Sequence, residues 1–161
     1  MSHAAGAPLV GIVMGSGSDR EKLQPALQTL QELGLSCEVV VLSAHRTPEE
    51  TAEYARSARG RGLRVLIGAA GWSAALPGVL AAYTDLPVIG VPLSGSPLGG
   101  KDALYSMIQM PPGVPVATVG VDSAHNAAYL AARILGVSDE TVAAAVREAQ
   151  ERARRQVLEQ A

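Results

Sequence analysis

Apolar positions in this chain fall into short unbroken runs, separated by longer stretches with helical spacing. Residues 9–14, 38–42, 65–67 (running on into Gly68-Ala69-Ala70-Gly71) and 87–91 read as buried strands, and a fifth lies within 114–121. Runs that are apolar on both faces are what a parallel sheet covered on both sides requires. Helical patterns fill the intervals. Ser18 or Asp19 caps a helix running to residue 33, with Gly34 just past its end. Thr47-Pro48-Glu49-Glu50 reads as a capping box with proline at the first helical position, opening a helix that stops near Gly60 or Gly62. Further helices are expected over 76–83, 102–109 and 126–135, and Ser138-Asp139-Glu140 caps a long final helix reaching about residue 158. Strand–helix alternation of this kind predicts one α/β domain over residues 1–161, with right-handed crossovers and a disordered tail at 1–7. On the last helix Val142, Val146, Ala149, Ala153 and Val157 form a thin apolar stripe among charged neighbours. It suits either a surface helix on its own domain or one that reaches a neighbouring subunit.

Composition narrows the partner. Of 161 residues, 48% are apolar and 17% charged, with a formal net charge of -2, so no basic excess exists to neutralise a nucleic-acid backbone. Aromatics are 3% with no Phe, which argues against a base-stacking platform. A small molecule or a second copy of the chain fits better. Cys37, the only cysteine, rules out an intrachain disulfide and a thiolate metal cluster, and beside Val39-Val40-Val41 it reads as a small buried hydrophobe. The first eight residues have no charged or apolar signal-peptide region, and no run of about 18 apolar residues spans a membrane, so the expected home is the cytoplasm.

In an open parallel sheet, ligands bind outside the carboxyl ends of the strands, so the chemistry should follow each strand. After the first comes Gly15-Ser16-Gly17-Ser18-Asp19, where glycines allow a tight turn and hydroxyls and helix N–H groups face one spot suited to phosphate; Asp19 could also accept from a sugar diol. The turn lacks the third glycine of a dinucleotide fingerprint, since Arg20 stands there, and lacks the lysine of a Walker loop. After the second strand comes Ser43-Ala44-His45-Arg46-Thr47-Pro48. An imidazole titrates near neutrality and can give and take one proton, and a guanidinium fork matches phosphate. His45 is therefore the candidate catalytic residue. His3 falls in the tail, and His125, before Asn126 at a helix start, reads as a capping or surface residue. Three scattered histidines argue against a metal site. After the third strand, the small residues of 68–78, Gly71 among them, leave room for a flat ligand with Ser73 as a donor, or form a plain glycine-rich connection. After the fourth, residues 94–100 form a glycine-rich loop able to close over the site.

These segments carry a resemblance. Residues 14–19, 43–48, Leu76-Pro77-Gly78, 87–92, 108–111 and Asn126-Ala127-Ala128 resemble the N5-carboxyaminoimidazole ribonucleotide mutase and aminoimidazole ribonucleotide carboxylase family of de novo purine synthesis, over most of residues 10–135. The resemblance implies a three-layer, flavodoxin-like α/β sandwich with a mainly parallel sheet, and an octameric assembly with sites at subunit boundaries. It implies that a carboxylate moves from the exocyclic nitrogen to ring carbon four, or that free carbon dioxide adds there, with His45 as proton shuttle. Ser16, Asp19 and Arg46 would hold the ribose phosphate, with Gly15, Ser18, Ser43, Ala44, Gly71 and Ser73 also contacting the nucleotide, and neither metal nor cofactor is needed.

One stretch departs from the pattern. Gly71-Trp72-Ser73-Ala74-Ala75 stands where the mutase class reads glycine-glycine-alanine-alanine-histidine and the carbon-dioxide-using class reads glycine-arginine-serine-asparagine-alanine. A second pocket imidazole is absent and Trp72 is bulky, so net carboxylation or decarboxylation stands as an alternative. Two readings of other kinds are a non-catalytic nucleotide-binding module, which would not need His45, and a signalling receiver-like domain. The latter needs acidic residues at two strand ends, where only Asp19 is found.

Overall fold

A computed structural model describes residues 7–160. The reading of a disordered tail at 1–7, with His3 in it, falls outside these residues except at Ala7, whose carbonyl accepts from the Ser36 hydroxyl at 2.8 Å. Strands and helices alternate: β1 (Val10–Met14), α1 (Arg20–Glu32), β2 (Cys37–Val41), α2 (Pro48–Ala58), β3 (Val65–Ala70), α3 (Leu76–Tyr83), β4 (Val88–Pro92), α4 (Lys101–Ile108), β5 (Ala117–Thr118), α5 (Ala124–Gly136) and α6 (Glu140–Leu158). The five strands form one sheet in the order β2-β1-β3-β4-β5, every pair parallel.

β1, β3 and β4 are buried at every position, as unbroken apolar runs require when helices cover both faces. On one face Ile12, Met14, Ile67 and Ile89 pack against Leu23, Ala26 and Leu30 of α1 and the alanine stripe Ala124, Ala127, Ala128 and Ala131 of α5. On the other, Val13, Leu66 and Val88 meet Ala55 of α2, Leu80 of α3 and Met107 of α4. Small side chains on α5 let that helix sit close to the sheet. α1 ends in a Schellman motif: Gly34, at φ 71, donates to Gln31 O, and Leu35 reaches back to Leu30 O at 2.9 Å.

Four expectations are corrected. β2 is an edge strand and only half-buried, with Val41 49% exposed, because no strand among the described residues pairs beyond it. Cys37 is accordingly half-buried rather than a core residue. Thr47 does not close a capping box: its hydroxyl turns back to accept from Ser43 N–H at 2.8 Å, tightening the turn after β2. A 3-10 turn over Gly17–Asp19 precedes α1, and Ser16 rather than Ser18 or Asp19 supplies its side-chain cap. The final helix divides along its length. Asp139 caps it, accepting from Thr141 and Val142 N–H groups, and Val142, Val146 and Ala149 pack into the core beside α5. Ala153 and Val157 face outward, Val157 at 68% exposed. No helix among the described residues is long and apolar enough to cross a membrane.

Candidate active site

Strand order reverses between β1 and β3, which is the crevice where ligands bind in this topology. The loops leaving β1, β2, β3 and β4 converge there around a cavity of about 510 Å³. That volume suits a small organic ligand. All ten residues singled out from the sequence line it: Gly15, Ser16, Ser18 and Asp19 after β1; Ser43, Ala44, His45 and Arg46 after β2; Gly71 and Ser73 after β3.

The turn after β1 is built to present donors. Gly15 N–H is tied to Ala69 O at 3.1 Å, which fixes the turn to β3. Ser18 donates its backbone N–H and its hydroxyl to Ser16 Oγ, at 3.3 and 2.9 Å. Both hydroxyls thus sit at the start of α1, where N–H groups and the helix dipole favour an anion. Asp19 faces the same space. Burial raises its carboxyl above the ordinary value, and a backbone hydrogen bond from Ser16 and the Lys22 charge offset part of that.

Arg46 joins the first two loops. Its guanidinium donates to Gly15 O at 2.9 Å and to Ser43 Oγ at 3.3 Å. Its remaining donors are available to a ligand oxygen. His45 is exposed and has no hydrogen-bond partner among the described residues, so its ring nitrogens are open to a bound molecule. His125, by contrast, is exposed on the first turn of α5 and does not line the cavity.

The wall from β3 carries the chain's departure. Gly71 approaches Leu93 O so closely that an added Cβ would stand 3.2 Å from it. Trp72 then takes φ 55, a left-handed conformation that a bulky residue adopts only where its surroundings hold it. Its indole is 60% exposed at the cavity mouth and faces Gly95 of the next loop, where a Cβ would lie 4.0 Å from Nε1. Ala75 lines the wall where a second imidazole would otherwise stand.

Lys22 also lines the cavity, although the sequence reading did not single it out. It follows Asp19 by three positions on one helix face. Its partners, however, are 72 and 100 positions away: Nζ donates to Ser94 Oγ at 2.7 Å and to the Asp122 carboxylate at 3.0 and 3.2 Å. Burial raises the Asp122 pKa, but hydrogen bonds from the Ser94 hydroxyl and amide and the Lys22 ammonium together outweigh it and hold the carboxyl below its usual value. A carboxyl depressed in the folded state stabilises the fold above its unfolded pKa, about 3.8, and that contribution is lost as pH falls through the lower folded value. Thermal midpoints of Asp122→Asn and the parent should therefore differ most above about pH 4 and converge below it. A difference constant from pH 7 to 2 would contradict this.

Comparison with known proteins agrees with this geometry. The family model described as AIR carboxylase matches residues 9–156. A protein of Thermotoga maritima named N5-carboxyaminoimidazole ribonucleotide mutase is 51% identical over 154 residues, covering 96% of this chain and 90% of its own length. Phosphoribosylaminoimidazole carboxylase of Schizosaccharomyces pombe is 49% identical over 155 residues, which are 96% of this chain and 28% of that longer one. The crystal structure of Treponema denticola PurE superposes with a TM-score of 0.86 at 31% identity, covering 94% of this chain and 95% of that one. With a parallel sheet in this order, a cavity at its switch point and a family match along nearly its whole length, the chain belongs to the AIR carboxylase family.

Proposed function

We propose that the cavity binds a carboxylated aminoimidazole ribonucleotide and that His45 carries a proton between its exocyclic nitrogen and ring carbon four. The observation that carries this reading is the convergence of an unpartnered imidazole and a phosphate-matching turn on one cavity. Ser16, Ser18 and Arg46 hold the phosphate, and Asp19 accepts from the ribose hydroxyls. Gly71 and Ser73 border the imidazole ring, while Gly15, Ser43 and Ala44 shape the floor with their backbones.

The steps balance without a cofactor. As the exocyclic N–CO₂ bond breaks, its electron pair stays on nitrogen, which takes a proton from His45 in the imidazolium form. Carbon four then attacks the freed carbon dioxide, forming the new C–C bond. Neutral His45 removes the hydrogen from carbon four, restoring aromaticity and its own charge. One proton is given and one is taken, so the net reaction is an isomerisation. Proton transfer by a positioned side chain of this kind contributes about 10²–10⁴-fold to rate.

A second net reaction is favoured by the wall at Trp72 and Ala75, which offers no imidazole to orient carbon dioxide. If carbon dioxide exchanges with solvent, the same groups carboxylate aminoimidazole ribonucleotide or decarboxylate its product. Assembly of the chain as a homo-oligomer, an octamer by family resemblance, and a cytoplasmic location belong to the same reading. Purified protein should be incubated separately with the two carboxylated nucleotides, following imidazole absorbance and released carbon dioxide. Interconversion identifies a mutase, and release of carbon dioxide a decarboxylase. Binding with no turnover of either would leave a non-catalytic nucleotide module.

A further inference from the structure

The segment 93–100 crosses the cavity's edge, with Leu93 and Gly95 in its wall. Leu93 N–H donates to Ala70 O at 3.0 Å, and beyond Ser94 the hydrogen bonds of the segment are local. Ser96 Oγ accepts from Leu98 N–H and donates to Asp102, and Gly99 N–H returns to Ser96 O. Its far end turns on Gly99 and Gly100, at φ 62 and 84, conformations that glycine takes without steric cost. Its near end is different. Ser94 gives both its amide and its hydroxyl to the Asp122 carboxylate, and Lys22 on α1 donates to both residues. Asp122 itself is held at φ 55, one of two non-glycine residues in the left-handed region among those described. Three elements that are far apart in sequence thus meet at one ammonium, which lies one helical turn from Asp19.

We propose that Lys22 is a positioning residue for the reaction: anchored by Asp122, its ammonium holds Ser94, and with it the segment 93–100, against the cavity beside the phosphate-binding turn. This rests on the nucleotide reading of the site. With Lys22 in place, the wall formed by Leu93 and Gly95, and the Trp72 indole that faces Gly95, stay at a fixed distance from the Ser16–Asp19 turn. A nucleotide then enters a formed site. Without Lys22, ligand binding must itself order the segment, which weakens affinity while leaving the His45 chemistry intact.

The test uses the full chain and the variants Lys22→Met, Lys22→Arg, Asp122→Asn and the Lys22→Met/Asp122→Asn double. Asparagine tolerates the left-handed conformation, so the backbone at 122 is preserved. Amide hydrogen exchange over residues 94–101 is read without ligand, and KM and kcat are read with carboxyaminoimidazole ribonucleotide. Loss of a charge-assisted hydrogen bond corresponds to about tenfold. Lys22→Met should speed exchange in the segment and raise KM by about that factor, with kcat within about threefold of the parent. Lys22→Arg should recover most of both, and the double variant should be no worse than the worse single, because the residues act as one unit. Unchanged exchange and KM in Lys22→Met, or additive losses in the double, would overturn the proposal. Ser94→Ala, which keeps both charges paired, should give a smaller rise in exchange and covers the case of an unfolded Lys22 variant. A parent protein with no turnover would sink the functional reading, while the exchange result would still decide whether Lys22 pins the segment.

Discussion

His45→Asn is expected to lower kcat by about 10²–10⁴-fold, the usual contribution of a positioned proton-transfer group. Asparagine is close to the imidazole in size and keeps a donor and an acceptor, but it cannot take or release a proton near neutrality. On the proposed reading the Ser16–Asp19 turn and Arg46 make the contacts to phosphate and ribose, so KM should stay within about threefold of the parent. The exposed His45 ring has no partner among the described residues to lose, so the unfolding midpoint should move little. Stopped-assay rates together with thermal unfolding check both halves of the expectation. A variant that keeps more than a tenth of the parent kcat would assign the proton to another group.

Ile12→Ala should cost about 2–5 kcal/mol of stability, a large share of what a domain of this size holds. Ile12 is fully buried in β1, between Val39 of β2 and Ile67 of β3, beneath α1 and α5. Deleting three carbons leaves a void that the hydrogen-bonded sheet around it cannot collapse to fill. At about 2–4 °C per kcal/mol for a chain of this length, the thermal midpoint should fall by roughly 5–15 °C. Below that midpoint KM should be unchanged, because the turn after β1 is held by its own bond from Gly15 to Ala69 O. A loss under about 1 kcal/mol by denaturant titration would mean that β1 is not the centre of the core.

The central strands were readable because burial on both faces leaves a signature that needs no neighbours to interpret. Residues 9–14 and 65–67 read as strands, and β1 and β3 lie there within a few positions. Edge position has a weaker signature: residues 39–42 are as apolar as a central strand, only Glu38 breaks the run, and β2 is half-exposed because of its place in the pairing order. β5 lies within 114–121 as expected, as a two-residue strand, Ala117–Thr118. The site divides along similar lines. Strand-end residues such as His45, Arg46 and Ser16 are placed by the topology rule alone. Lys22, Ser94 and Asp122 meet only through the fold, and a lysine in a helix's first turn looks like any other surface charge. Trp72 stands out in the sequence only as a bulky residue in a glycine-rich stretch. That it takes a left-handed backbone and faces Gly95 is a matter of tertiary packing.

The most direct measurement is a crystal structure of the protein with carboxyaminoimidazole ribonucleotide bound. The account predicts a His45 ring nitrogen within about 3.5 Å of ring carbon four, with the phosphate on Ser16, Ser18 and Arg46. A nucleotide seated in the cavity with the His45 ring turned away, beyond reach of that carbon even through one water, would contradict it.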